Sequence, residues 1–400
     1  MTKITKFIKR NFVVLLVLVL AFALCASSVY AKYSTTQKVT DSIKITIDAT
    51  PTIDATKLQT ALKSLKSSAP TSVSFVKASA VPASASIVDA AKDGVQASGS
   101  SRIGVFQDGT NVYIAPMSAD SNTPSTSDDA MIAPKDCTNL LGGTSAGIDL
   151  ADSLTSIDLS NLNTSITENM SSLLYGNTNL TSVTFGTLFD TSKVESMQSM
   201  FYNCKALTSI NLTSVNTTAC KNMKQMFEGC EALTSLDVST FNTSNVTDME
   251  SMLNGCKKLS SITFSTNFNT ASVTTMKSMF SGCEALTSVS LPSFNTSNVK
   301  DMSGMFSTCT AMTDLDISTF NTSSVTDMTS MFASDSKLAK ITVGTGFTTT
   351  AVTASTNMFS GCSLLVGGAE TSFDSNHTDA TYARIDNPTA STPGYFTASS

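Results

Sequence analysis

Tryptophan is absent from this chain of 400 residues, histidine occurs once, and only 14% of the residues are charged. The balance of 25 Lys and Arg against 31 Asp and Glu leaves a net charge of −6, with no clustered basic stripe. That excludes nucleic acid as a partner, because phosphate recognition needs clustered Lys and Arg. A single histidine excludes any metal site built on two imidazoles. His377 sits between Asp374 and Asp379 and is read as solvated or structural; the chemical alternatives are a metal site with those two carboxylates or a Ser-His-Asp triad. No C-x-x-C pair, no glycine-rich phosphate loop and no carboxylate pair set apart from the rest of the pattern is present. The chain is therefore read as a non-enzyme with no cofactor and no metal.

What is abundant is repetition. A marker leucine falls at Leu154, Leu180, Leu207, Leu233, Leu259, Leu286, then Met312, Leu338 and Leu365, in steps of 26 or 27 residues. A fixed period in this range is the signature of stacked units, none of which can bury its apolar face alone. Within the unit that starts at Leu233, Leu236 and Val238 alternate with Ser235 and Asp237, the period-2 pattern of a strand with one buried face. Met249, Met252 and Leu253 then fall at i, i+3 and i+4, which predicts a short helix. Thr247 and Glu250 would form its capping box, Asp248 would face its dipole and Gly255 would stop it. The expected fold is an α/β solenoid with a parallel sheet on one face, short helices on the other and small β-rich caps. The 27-residue steps begin at Leu180, Leu259 and Leu338, 79 residues apart, so a three-unit super-repeat is expected, with the extra residue bulging after the strand.

The array occupies residues 137–365, between other segments. Residues 1–31 read as a signal peptide: a basic start (Lys3, Lys6, Lys9, Arg10), an apolar run, and Val29-Tyr30-Ala31 as the site, with cleavage after Ala31. The alternative is an uncleaved anchor, so contact with a membrane is expected only through this segment. Residues 32–70 are poorly defined, with strand-like alternation over 39–47 and helical spacing over 57–65. Residues 71–136 read as an N-terminal β-rich cap, with a strand at 72–76 and a hairpin over 102–116 turning at Asp108-Gly109. In that hairpin Ile103 and Val105 would share a face with Val112 and Ile114. Residues 366–400 read as a C-terminal cap whose apolar cover is Tyr382, Ile385, Tyr395 and Phe396.

Nine cysteines in an exported chain invite disulfides, but Cys204, Cys230, Cys256, Cys283, Cys309 and Cys362 share one slot of the repeat, filled by Asn177 and Asp335 elsewhere. Stacked side chains about 4.8 Å apart with parallel Cβ vectors fit disulfide geometry badly, so these are read as a ladder of buried free thiols. Methionines 197, 223, 249, 276, 302 and 328 and phenylalanines 241, 268, 294, 320 and 347 recur in the same way and read as core. Asn216, Asn242, Asn269, Asn295 and Asn321 would satisfy turn backbone.

The unit GCEALTSLDVSTFNTSNVTDMESM resembles the 26-residue repeat of bacterial surface proteins, a branch of the BspA-like leucine-rich repeats. The tail LVGGAETSFDSNHTDATYARIDNPTASTPGYFT is similar to the segment that follows such repeats. The resemblance implies an extracellular or cell-surface bacterial protein that acts as a binding or adhesion module for a host or bacterial surface protein or glycan. The alternative is a structural spacer of the cell envelope without a specific ligand. On the strand face, Ser209 and Asn211, Ser235 and Asp237, Ser261 and Thr263, Ser288 and Ser290, and Asp314 and Asp316 would form two outward columns, the expected partner-binding surface. The competing surface is the opposite face, with Lys221, Lys224, Glu228, Lys257 and Lys258.

Overall fold

The computed structural model describes residues 31–32, 48–49, 51–98, 102–118, 121–125, 130–143, 150, 153–291, 294–387 and 392–399. The expected signal peptide (save Ala31), Cys25 and the expected strand at 39–47 lie outside them.

Strands β1 (Ala31–Lys32) and β2 (Asp48–Ala49) form a small antiparallel pair. After β3 (Thr52–Ile53) comes the one α-helix among the described residues, α1 (Ala55–Lys63). Asp54 caps it by accepting from the Lys57 N–H at 3.0 Å, and Leu58, Ala61 and Leu62 line its buried face at helical spacing. The helix expected near 57–65 is therefore present, shifted toward its cap. Then follow β4 (Ser72–Phe75), β5 (Ser86–Ile87), β6 (Gln96–Ser98), β7 (Arg102–Asp108), β8 (Asn111–Met117) and β9 (Met131–Ile132). β7 and β8 are the expected hairpin, with Asp108 paired to Asn111 so that the two-residue loop is Gly109-Thr110, one residue later than expected. Gly109 has φ +58, a left-handed conformation that glycine adopts without Cβ strain. Ile103, Val105, Val112 and Ile114 are fully buried on one face.

In the repeats lie β10 (Ser156–Leu159), β11 (Leu162–Asn163), β12 (Ser182–Phe185), β13 (Ser235–Asp237), β14 (Ser261–Thr263), β15 (Asp314–Ile317) and β16 (Lys340–Val343), and β17 (Phe396–Ala398) follows in the tail. The fold is mixed α/β, mostly sheet. A six-stranded sheet in the order β12-β10-β4-β8-β7-β5 joins cap to repeats, because β4 pairs parallel with both β8 and β10. Val73 and Phe75 thereby continue the buried face of Ile157 and Leu159, and one hydrophobic core runs from Ile53 to Phe396. β11-β9-β3-β6 make a four-stranded sheet, β13 and β14 a pair, and β15-β16-β17 a three-stranded parallel sheet.

Two expectations need correction. First, the sheets are mixed and separate, not a single parallel face: β5–β7, β7–β8 and β3–β6 are antiparallel. Second, the repeats carry no helices among the described residues. At Met249, Met252 and Leu253 the chain makes successive tight turns, with the N–H groups of Met252 and Asn254 donating to the carbonyls of Met249 and Ser251. The alternate N–H groups, of Met249, Ser251 and Leu253, donate instead to Thr275, Lys277 and Met279, one unit further on. Ser251 (φ 55) and Gly255 (φ 72) lie in the left-handed region, which a right-handed helix cannot contain. Apolar spacing of i, i+3, i+4 is shared by a helix and by such a string of turns, so the pattern alone did not separate them.

The capping box goes with the helix. Thr247 donates its N–H to the Lys221 carbonyl, and Asp248 accepts from the Glu250 N–H at 2.9 Å. Position 248 is also one step of a ladder of parallel single-residue bridges: Asp136, Asn169, Ser196, Asn222, Asp248, Thr275, Asp301, Asp327 and Ala354, each paired to the next.

The 27-residue units differ from the others where expected. In both lengths the aromatic N–H closes a turn onto the carbonyl three residues back, Phe241 to Val238 and Phe268 to Ser265. The extra residue moves the start of that turn from the fifth residue after the marker, Val238, to the sixth, Gly186, Ser265 and Gly344. A Cβ on Gly186 or Gly344 would stand 2.2 Å from the carbonyl oxygen of Ser160 or Ser318 in the preceding unit, so the backbones are in close approach there.

At the C-terminal end β17 pairs parallel with β16, and Tyr395 and Phe396 are fully buried. Ile385 is 39% exposed, so it does not supply the cover expected of it. Asp386 ties this cap together, accepting from the N–H groups of Ala369 (2.9 Å), Thr371 (2.9 Å) and Gly394 (3.3 Å) and from the Thr371 hydroxyl at 2.8 Å.

Candidate interaction surface

The ten residues of the expected surface, Ser209, Asn211, Ser235, Asp237, Ser261, Thr263, Ser288, Ser290, Asp314 and Asp316, are all exposed. Leu236 and Leu315, the residues between their pairs, are buried, as period-2 alternation requires. β13 and β14 hold four of the ten in register, Ser235 opposite Ser261 and Asp237 opposite Thr263. Asp314 and Asp316 lie on β15, whereas Ser209, Asn211, Ser288 and Ser290 lie on segments that form no strand.

The two columns differ in what they leave free. In the second column Asn211, Asp237 and Asp316 each accept, through Oδ1, the N–H two residues on, of Thr213 (3.1 Å), Ser239 (2.9 Å) and Ser318 (2.9 Å). These are local turns made by short polar side chains. The hydrogen bonds from Ser239, side chain first and then backbone, hold the Asp237 carboxyl below its usual range. The 27-residue units carry Thr184, Thr263 and Thr342 at this position, where the 26-residue units carry Asp or Asn except at Ser290. Part of the second column thus shapes the turn, while the hydroxyls of the first column face outward.

On the competing face the charges pair between neighbouring units: Lys221 with Glu195 at 2.8 Å, Lys224 with Glu250 at 2.7 Å, Lys257 with Glu231 at 2.8 Å. Pairs as exposed as these add little stability, but they neutralise the lysines as ligands for an anionic partner.

A half-buried aromatic pair was not anticipated. Tyr175 and Tyr202 stack at 4.6 Å between centroids and 2° between planes, with Glu228 following in the same column. Burial pushes the Glu228 carboxyl up against the opposing hydrogen bonds from Gln225 and Asn254, and Oε1 accepts from Asn254 at 3.1 Å. The sequence signal was the recurrence of this position five residues before each marker leucine. A second stack, Phe280, Phe306, Phe332 and Phe359 at 5.4, 6.0 and 5.6 Å, was likewise readable from the period and belongs to the core.

The remaining candidates resolve into structure. Cys137, Cys204, Cys220, Cys230, Cys256, Cys283, Cys309 and Cys362 are unpaired and buried. Each of the six in the shared slot donates its thiol to a carbonyl in the preceding unit, as Cys230 does to Phe201 at 3.2 Å and Cys362 to Phe332 at 2.9 Å. Asn177 makes the equivalent bond to the Leu141 carbonyl at 2.9 Å. His377 is half-exposed, bonds Asp374 at 2.9 Å through Nδ1 and stacks on Tyr382 at 4.3 Å. Among the described residues no three His, Cys, Asp or Glu side chains converge as metal ligands, and no helix is long and apolar enough to cross a membrane.

The family described as "Mycoplasma protein of unknown function, DUF285" matches residues 147–265 and 260–371, more than half of the chain and most of the repeats. No curated protein and no solved structure matches it.

Proposed function

The chain belongs to the family described as Mycoplasma protein of unknown function, DUF285, and from that premise we propose that it is an exported bacterial surface protein, a solenoid of stacked repeat units whose strand face binds a polar partner. What supports the solenoid is the ladder of parallel bridges from Asp136 to Ala354, repeated unit by unit. The resemblance to BspA-like leucine-rich repeats supports the surface location and a protein or glycan as partner. The observation that carries the binding role is the exposure of all ten of these polar residues, four of them held side by side on paired strands, Ser235 by Ser261 and Asp237 by Thr263. Such a surface suits many weak hydrogen bonds to a glycan or an extended protein face, not a deep pocket for a small molecule.

The test uses two variants that retain the wild-type circular dichroism spectrum. One carries Ser235→Lys, Asp237→Lys, Ser261→Lys and Thr263→Lys; the other carries Lys221→Glu, Lys224→Glu, Lys257→Glu and Lys258→Glu. Adhesion to host cells or glycan arrays is expected to be lost in the first and kept in the second. The opposite outcome moves the site to the other face, and adhesion by neither variant nor the parent leaves the spacer role as the better reading.

A further inference from the structure

Two lines of backbone pairing run along the repeats, and they differ in continuity. The bridge ladder from Asp136 to Ala354 is unbroken. The strand line is cut at regular intervals. β10 pairs with β12, β13 with β14 and β15 with β16, each time a 26-residue unit with the 27-residue unit that follows it. The third unit of each set, at residues 209–211 and 288–290, forms no strand. Among the described residues, the backbone bonds that remain there are those from the Thr234 N–H to the Thr208 carbonyl and from the Thr313 N–H to the Thr287 carbonyl.

Burial marks the same two places. The inward residues flanking each gap, Val183 with Ile210 and Ile262 with Val289, are half-buried, whereas Leu236, Leu315 and Ile341 elsewhere on the line are buried. In the last set the third position is filled by β17, which pairs with β16 as Ile341 to Phe396, Thr342 to Thr397 and Val343 to Ala398. The far edge of a 27-residue unit can therefore accept a neighbour, and it does so when that neighbour is not the next repeat. The extra residue lies just after β12 and β14, at the two edges that meet no strand in the segment that follows.

We propose that the array is jointed: two-strand units hinge about the continuous bridge ladder at two seams, residues 208–212 and 287–291. Bending concentrates where inter-strand hydrogen bonds are absent, because the packed core and the paired strands on either side resist it. The period of 79 residues places the seams three units apart, so the chain bends at defined points and not uniformly.

Two spin-label pairs joining the same two units test this. Ser261→Cys with Asp314→Cys spans a seam on the strand line, and Thr274→Cys with Thr326→Cys spans the same units beside the ladder residues Thr275 and Asp327. Both pairs lie two units apart, about 10 Å, within reach of dipolar broadening; the eight native thiols among the described residues are buried, and the unsubstituted protein serves as labelling control. The first pair is expected to give the broader distance distribution. Deleting Ser265, which turns a 27-residue unit into a 26-residue one, is expected to narrow it and to protect amides 288–290 from exchange while leaving amides 209–211 unchanged. Equal widths for the two pairs overturn the proposal, as does a folded deletion variant with an unchanged width. Amide exchange on the full chain gives a second reading that needs no variant: residues 209–211 and 288–290 exchange faster than Leu236 and Leu315, and equal protection overturns the joints.

Discussion

Asp335 occupies the cysteine slot between Cys309 and Cys362, and it is fully buried. Its Oδ1 accepts from the Cys309 N–H at 2.7 Å, and its Oδ2 has no partner. A thiol in this slot donates to a carbonyl of the preceding unit, which for position 335 corresponds to that of Phe306, and an ionised carboxylate cannot donate. Burial accordingly pushes the Asp335 carboxyl from 3.8 up to about 8, against the lowering effect of the Cys309 N–H. The folded protein therefore holds a proton that the unfolded chain releases above pH 4. The contribution of this group to stability is greatest below that pH and falls as pH rises through the window up to about 8, at roughly 1.4 kcal/mol per pH unit, so on the order of 5 kcal/mol is lost in all.

Asp335→Asn supplies a permanent donor in a shape the fold already accepts, since Asn177 in the same slot donates to the carbonyls of Leu141 and Leu174 at 2.9 Å each. Denaturant midpoints at pH 5, 7 and 8.5 should fall with pH in the parent. They should fall much less in Asp335→Asn, with the variant ahead at pH 8.5. Parallel pH dependence in the two proteins would show that Asp335 is ionised in the fold or exposed to water, and would refute the reasoning.

Two further outcomes follow from buried polar groups. Burial pushes the Cys204, Cys256 and Cys362 thiols up to about 12, so the slot cysteines should resist a thiol reagent in the native state and react after denaturation without reductant; a peptide map with linked slot cysteines would contradict this. Asp386→Ala removes four hydrogen bonds from the C-terminal cap and should cost about 3 kcal/mol. Burial raises the Asp386 carboxyl, but the bonds from Thr371, Ala369 and Gly394 outweigh it and leave it lowered. The cap therefore keeps this support above the ordinary carboxylate value of 3.8 and loses it as pH falls through the lower folded value. Faster exchange at β17 in Asp386→Ala, with β13 unchanged, is the expected reading; unaltered exchange at β17 would count against the role.

The period of the sequence determined a good deal. It located the units, the slots shared by Cys, Met and Phe, the exposed polar columns and the place of the extra residue, because a residue repeated at fixed spacing meets the same surroundings in every unit. The hairpin was legible from its alternation, and the helix at 55–63 from its apolar spacing. Tertiary structure decided the rest. Whether Met249 to Leu253 is helix or turn depends on where its N–H groups find carbonyls, and half of those lie in the neighbouring unit, beyond the reach of any local pattern. The pairing of β4 with β10 and of β17 with β16 joins segments far apart in sequence. The loss of pairing at residues 209–211 and 288–290 has the same origin: a strand exists only where a neighbour presents its edge, and Ile210 and Val289 carry strand-like alternation without one.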